Sequence, residues 1–168
     1  VTRKEVSELL EIDLENVTIH VTLLGGGFGR KSKPDYVLEA AWLAKETGAP
    51  VQVIWSREDD IRHSYYHAIS AQYLKGGLTR DGSVNAWLHR TAYPSITSTF
   101  MPGVVHGAGF EFQQGMTNLP YEIKNQRFEY GEAPAHVRIG WLRSVYNIIH
   151  GFSINVFADE LAIEAQSD

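Results

Sequence analysis

Hydrophobic and polar positions change their period several times along the chain, and each change predicts a different element. Helical spacing of apolar residues predicts a short amphipathic helix over residues 3–11 and a second helix over residues 35–48. Between them, Val17–Leu24 alternates apolar and polar residues as a half-buried strand does, and Val51–Trp55 is a short apolar run. Strand, glycine-rich loop, helix and strand in this order predict a βαβ crossover with two parallel strands.

The second half of the chain has the pattern of an antiparallel hairpin. Two alternating runs, Ala68–Leu78 and Ser83–Tyr93, flank Thr79–Gly82, whose Asp-Gly pair is a strong turn signal. The segments QRFEYG and VRIGWL predict one or two more strands, and Tyr146–Gln166 predicts a final helix. We therefore expect a two-layer α/β (α+β) fold, with a mixed sheet and helices packed on one face, as a single domain over residues 1–168.

Residues 94–120 show no steady period and contain several glycines and prolines. A loop of this length inside a compact domain is usually functional or partly disordered.

Composition excludes several classes of protein. The chain has 168 residues, of which 43% are hydrophobic and 11% aromatic, so it is not intrinsically disordered. No run of about 18 apolar residues is present, so we expect no membrane span. The net charge of −5 comes from acidic ends around a mildly basic middle, which does not predict nucleic-acid binding. Because the chain has no cysteine, any iron–sulfur cluster ligated by cysteines must lie outside it.

The glycine-rich stretch Gly25–Lys31 is the strongest local signal. Several glycines allow the backbone to approach a bulky ligand, and Arg30, Lys31 and Lys33 favour an anion. The phosphate-binding and dinucleotide-binding glycine patterns both miss by one residue, because each needs a glycine where Arg30 stands. Two interpretations therefore stay open: a tight packed turn, or a loop that binds a nucleotide. Phe28 within the glycines suits a planar ligand, or it holds the turn against the core.

Arg143, in the segment GWLRSVYN, lies between a predicted strand and the final helix. A guanidinium at such a junction binds an oxyanion or pairs with a buried carboxylate. No pattern of histidines and carboxylates predicts a metal site.

Three segments in the same order carry a family resemblance: GGGFGRKSKPD, WSREDDIRHSYYH and GEAPAHVRIGWLRSVYN. They resemble the large, molybdopterin-binding subunit of the molybdenum hydroxylases (the xanthine dehydrogenase and aldehyde oxidase superfamily), and most of all its isoquinoline 1-oxidoreductase branch and related aldehyde dehydrogenases. The usual form of the first segment in that family is GGGFGGKE. The resemblance covers nearly the whole chain and implies a molybdenum cofactor-binding type of domain.

The resemblance also implies the site residues. The expected cofactor contacts are Gly26, Gly27, Phe28, Gly29 and Arg143. The expected substrate-side positions are Ser32, Tyr66 and His67. Ser32 stands where the family has a substrate-binding glutamate, and Tyr66–His67 where it has an arginine that recognises xanthine-type substrates. These departures favour an N-heterocycle or an aldehyde over a purine.

The resemblance further implies molybdopterin, in its cytosine dinucleotide form, with a molybdenum that has no protein ligand. The implied partners are the remainder of a longer large subunit, a small subunit with [2Fe–2S] clusters and a small-molecule substrate that is hydroxylated with oxygen from water. The family's catalytic glutamate has no counterpart in this chain, so no catalytic residue is expected and the isolated chain is expected to be inactive. Two alternatives remain. The chain could be a nucleotide- or phosphate-binding module that uses Gly25–Lys31, or a non-catalytic interaction domain that docks through residues 94–120.

Overall fold

The computed structural model describes residues 1–167 and divides the chain into two compact units, Val1–Tyr65 and the part that begins at Tyr66. The first unit contains three helices, α1 (Thr2–Leu10), α2 (Asp35–Thr47) and α3 (Arg57–His63), of which α1 and α2 pack together. Both helices predicted for this half are confirmed. Helix α2 ends because Gly48 adopts the left-handed conformation, with φ of 65°.

The predicted βαβ crossover is wrong. Within residues 1–167, neither Val17–Leu24 nor Val51–Trp55 belongs to a ladder of hydrogen bonds. Val21 is 90% exposed and Leu23 fully so, which shows that the apolar face of the first segment has no neighbouring strand to pack on. Alternation measures how well a sequence suits a pleated surface, but a strand forms only where a neighbouring backbone accepts its hydrogen bonds.

The second unit contains the mixed sheet that the sequence predicts. Strands β1 (Ala71–Leu78) and β2 (Val84–Tyr93) form the antiparallel hairpin, and β3 (Asn125–Glu132) pairs with β2 in parallel, which gives the order β1-β2-β3. Helix α4 (Gly109–Phe112) is a single turn within the long loop, and α5 (Asn147–Glu164) packs on the sheet. The α+β class is confirmed.

The core of the second unit lies between β2 and α5. Alternate residues of β2 point to the same face, and four of them are buried: Trp87, His89, Thr91 and Tyr93. The Trp87 ring meets Phe157 of α5 edge-on at 4.8 Å, and the Tyr93 ring stacks on Tyr146 at 4.1 Å, just before the same helix. These aromatic contacts hold α5 across the sheet.

The long loop 94–120 is ordered around a buried carboxylate. Oε1 of Glu111 accepts hydrogen bonds from the Ser95 hydroxyl at 2.7 Å, from the Thr97 hydroxyl at 2.6 Å and from the Thr97 amide at 3.2 Å. The VRIGWL segment contributes only an isolated bridge, between Ile139 and Tyr66. None of the helices described between residues 1 and 167 has the length and hydrophobicity needed to cross a bilayer.

Candidate functional site

The glycine-rich loop forms a tight, exposed turn at the surface of the first unit. Phe28 and Gly29 both have positive φ, 48° and 85°, as the central residues of a type I′ turn do. The Arg30 amide closes this turn by donating to the Gly27 carbonyl at 2.9 Å. Gly26 has φ of 132°, a conformation that residues with a side chain rarely adopt. The loop therefore lies on the surface, where a ligand can reach its backbone.

Phe28 is the strained member of this turn. A bulky residue at positive φ is an outlier that costs on the order of 1–3 kcal/mol and persists only where surrounding contacts hold it. Its ring lies over Gly26, where an added Cβ would come within 2.7 Å of the ring, and it remains 65% exposed. The ring therefore presents an aromatic surface to solvent, and it does not anchor the turn in the core.

The three cations after the loop do not play the same part. Arg30 is paired with Asp35 through both ends of its guanidinium, which leaves less of its charge for an anionic ligand than the sequence alone suggests. The Lys31 ammonium lies 4.5 Å from the centre of the Tyr36 ring. Burial lowers the pKa of Lys33, and the Glu5 carboxylate partly offsets this effect.

The loop also lacks the arrangement of a phosphate-binding loop. Such loops point free backbone amides at the phosphate and lead directly into a helix. Here the amides of Arg30 and Ser32 donate to Gly27 and Gly29 at 2.9 and 3.0 Å, and α2 begins only at Asp35. The nucleotide-binding alternative therefore receives no support from the geometry.

Arg143 lies in a second strained segment. It is exposed, and the two residues that follow it, Ser144 and Val145, have φ of 70° and 43°. Val145 is β-branched, for which positive φ is a genuine outlier. Two short hydrogen bonds wind the segment tightly, from Leu142 to Gly140 at 2.8 Å and from Val145 to Leu142 at 2.9 Å. Strain thus falls on both segments in which the sequence predicts cofactor contacts.

Tyr66 and the Arg143 segment are joined through the backbone. The Tyr66 amide donates to Arg138 at 2.9 Å, and its carbonyl accepts from Gly140 at 3.0 Å, three residues before Arg143. Tyr66 itself is exposed and His67 is half-buried. The second unit therefore contains three predicted site residues: Tyr66, His67 and Arg143. The remaining five lie in the first unit: Gly26, Gly27, Phe28, Gly29 and Ser32.

Trp141 ties this segment to the long loop, a role that sequence reasoning missed. Its indole stacks on Phe110 at 5.5 Å and meets Phe100 edge-on at 5.8 Å. The loop 94–120 thereby packs beside the residues that precede Arg143. The sequence shows only that an apolar segment precedes Arg143. It does not indicate that Phe100 and Phe110 pack on Trp141.

The residues present fit a large, planar, anionic group. An added Cβ at Gly25 would find no atom within 4 Å, so the backbone there opens onto free space. No acidic residue occurs between Gly25 and Pro34, and Phe28 offers an exposed ring. The Ser32 hydroxyl is buried and has no hydrogen-bond partner within the described residues, so it is a further donor for a ligand. Across residues 1–167, no cluster of three or more His, Asp or Glu side chains is placed to hold a metal ion.

Comparison with known proteins gives one family and several relatives. Residues 1–167 match the model of the molybdopterin cofactor-binding domain. The chain is 35% identical over 95% of its length to the beta subunit of isoquinoline 1-oxidoreductase from Brevundimonas diminuta, covering 21% of that protein. It is 29% identical over 99% of its length to a nicotinate dehydrogenase subunit from Pseudomonas putida, covering 14% of it.

A membrane-bound aldehyde dehydrogenase (pyrroloquinoline-quinone) from Gluconacetobacter polyoxogenes is 27% identical over 97% of the chain, which covers 22% of that protein. The chain thus spans between about a seventh and about a fifth of the length of these three relatives. The family match extends over every described residue, and the strained glycine loop and the Arg143 segment both lie inside it. The chain belongs to the molybdopterin cofactor-binding domain family, whose members form part of molybdenum oxidoreductases.

Proposed function

We propose that this chain is part of the cofactor-binding domain of a longer large subunit, in an enzyme that hydroxylates an N-heterocycle or an aldehyde with oxygen from water. The observation that carries the proposal is the open, strained glycine turn at Gly25–Gly29. The names of two relatives, an isoquinoline oxidoreductase and a nicotinate dehydrogenase, support an N-heterocyclic substrate. Their names also identify them as subunits, which supports a partner chain, and we assign to that partner the [2Fe–2S] clusters.

The proposed cofactor is molybdopterin in its cytosine dinucleotide form, which supplies the oxygen-transfer and two-electron redox chemistry when it is bound. The backbone of Gly26, Gly27 and Gly29 would face the group, which would enter from the open side at Gly25. The exposed Phe28 ring would exclude water from one side. Arg143 would neutralise anionic charge on the group, for which a guanidinium is well suited.

Three side chains would face the substrate. The hydroxyls of Ser32 and Tyr66 can donate or accept a hydrogen bond, and His67 can do either according to its tautomer. The family's proton-accepting glutamate has no counterpart in this chain, so we assign that group to the rest of the subunit. We therefore propose that the isolated chain is catalytically inactive.

The test is a substitution that fills the free space at Gly25 in the complete protein. A Cβ added at Gly25 meets no atom within 4 Å, so Gly25→Leu is expected to keep the thermal unfolding midpoint of the fold. Because the new side chain takes up the space assigned to the cofactor, we expect the variant to lose most of its bound pterin and molybdenum. Gly151→Leu, on an open side of α5, is the matched control and should keep both. Full pterin content in Gly25→Leu would contradict the proposal.

A further inference from the structure

Arg30 is held by more partners than a surface arginine normally has. Its Nη1 and Nη2 atoms donate to the two carboxylate oxygens of Asp35, both at 3.0 Å, in the two-pronged geometry that is strongest for an arginine. Its Nε donates to the Ser64 hydroxyl at 2.8 Å, and Nη1 also reaches the Lys33 carbonyl at 3.4 Å. The Arg30 and Asp35 side chains are only 16% and 17% exposed, so water screens the pair weakly.

Three aromatic rings surround the same guanidinium. The Cζ atom of Arg30 lies 5.0 Å from the centre of the Tyr65 ring, 5.6 Å from Tyr36 and 5.7 Å from Trp55. These distances are within the range in which ring faces attract a cation. The rings come from the start of α2, the segment before α3 and the segment after it, so Arg30 joins three separate parts of the first unit.

The backbone amide of Arg30 closes the strained glycine turn. The Arg30 amide donates to Gly27, and the two residues between them, Phe28 and Gly29, have positive φ. A turn that holds a phenylalanine in this conformation needs a fixed end, because otherwise the phenylalanine relaxes to negative φ. The side-chain contacts of Arg30 provide that fixed end, since they fasten the closing residue to α2 and to the segments on either side of α3.

We propose that Arg30 is a positioning residue, and that its contacts with Asp35, Ser64 and the three rings keep Phe28 and the glycine backbone in the conformation that receives the cofactor. Arg30 itself does not touch the cofactor. The inference rests on the proposed function only for the identity of the ligand, because the effect on the loop is a property of this chain alone.

The test compares four variants of the complete protein. Arg30→Met removes the charge and the hydrogen bonds but keeps the apolar length of the side chain. Arg30→Lys keeps the charge and loses the planar fork, and Asp35→Asn removes the partner's charge with little change of shape. Arg57→Met, at an exposed arginine of the same unit, is the matched control.

Hydrogen exchange of the backbone amides is measured first, in protein freed of cofactor. We expect exchange of the amides of Arg30 and Ser32 to increase about tenfold in Arg30→Met, less in Arg30→Lys and Asp35→Asn, and not at all in Arg57→Met. Amides of α5 serve as the internal reference and should not change. Unchanged exchange at Arg30 and Ser32 would overturn the proposal. Exchange that rises equally in α5 would also overturn it, because the whole protein would then have lost stability.

Cofactor content and the molybdenum electron paramagnetic resonance signal are measured next, in the same variants purified with cofactor. We expect Arg30→Met to hold less pterin than the wild type. The cofactor that remains in this variant should give an altered molybdenum signal. Arg30→Lys should restore the pterin content and the signal in part. Wild-type content and signal in Arg30→Met, despite faster exchange, would overturn the link to the cofactor. If the wild type itself holds no pterin, the proposed function fails, whereas the exchange result still decides whether Arg30 fixes the loop.

Discussion

Single residues in unfavourable conformations mark both segments that carry the expected cofactor contacts. Phe28 in the glycine turn and Ser144 and Val145 beside Arg143 all have positive φ without being glycine. Strained residues of this kind cluster at functional sites, so their position beside the predicted contacts supports a binding role. The family resemblance indicated the segments, but positive φ in a phenylalanine or a valine leaves no trace in sequence.

Ser144→Gly is expected to relieve strain, because glycine adopts positive φ without steric cost. We predict that the free energy of unfolding stays equal or rises by up to about 1 kcal/mol, while bound pterin decreases because the Arg143 segment loosens. Ser144→Ala is the matched control, since it keeps a Cβ and should behave as the wild type. Denaturant unfolding and pterin content measure the two effects, and a clear loss of stability in Ser144→Gly would contradict the prediction.

His89 gives the stability of the protein a pH dependence. Its imidazole is fully buried between β2 and α5, with Nε2 at 2.6 Å from the Gln72 side-chain oxygen and with the His150 ring edge-on at 5.5 Å. Burial, and to a smaller degree the neighbouring His150, lowers the pKa of His89 to about 4. Burial also lowers the pKa of His150, which a hydrogen bond to the Gln114 carbonyl partly offsets.

A histidine with a lowered pKa stabilises the fold at neutral pH. The unfolded chain takes up a proton below pH about 6.5, whereas folded His89 does so only near pH 4, so stability falls as the pH falls between these values. We predict a lower free energy of unfolding at pH 5 than at pH 7.5, by an amount that shrinks in His89→Gln. His20→Gln, at an exposed histidine, is the matched control. An unchanged pH dependence in His89→Gln would contradict the assignment.

Among the elements, helix α5 and strand β1 depend on a close approach at Gly76. An added Cβ there would lie 2.6 Å from the end of the Leu161 side chain on α5. Gly151, in the same helix, has no atom within 4 Å of its added Cβ. The two glycines therefore have different roles, although both occur inside regular elements.

We predict that Gly76→Ala destabilises the protein by about 1 kcal/mol, because the Leu161 side chain must leave its packed position against the sheet. Gly151→Ala is expected to stabilise it by about 0.5–1 kcal/mol, because alanine favours the helix and meets no obstacle. Thermal unfolding of the two variants beside the wild type measures both changes. Equal effects of the two substitutions would contradict the packing described for Gly76.

The elements also show how far the sequence predicts this structure. The hairpin, β3 and α1, α2 and α5 follow from local signals, namely periodicity, an Asp-Gly turn and Gly48 at the end of α2. The failure at Val17–Leu24 and Val51–Trp55 has a physical cause, since strand formation depends on a neighbour that periodicity does not specify. The role of Arg30 was missed for the same reason, because its partners Ser64 and Tyr65 are more than thirty residues away along the chain.

In the molecule as a whole, apolar side chains remain exposed on both units. Leu23 and Ile54 in the first unit and Phe152 and Ile163 on α5 are each largely accessible. Exposed apolar surface of this kind is typical of regions that other parts of a protein cover. The chain spans 14–22% of the length of three of its relatives, which supports the remainder of a large subunit as that cover.

The isolated chain is therefore expected to differ from the same chain within its complete protein. We predict that the 168-residue chain produced alone binds a hydrophobic dye such as ANS, holds no stoichiometric pterin and shows no oxidoreductase activity, because the exposed surface and the cofactor site both need the remaining segments. The complete protein is the control and should bind less dye per residue. Pterin bound in equal amounts to the isolated chain would show that this portion suffices for the cofactor.

The most direct test is an experimental structure of the complete, cofactor-loaded protein. We predict that the backbone of Gly25–Gly29 and the Phe28 ring lie in van der Waals contact with the pterin, within about 4 Å, with the Arg143 guanidinium beside its anionic groups. A pterin that binds elsewhere, with the glycine turn facing solvent or another protein segment, would contradict the proposed role of this loop.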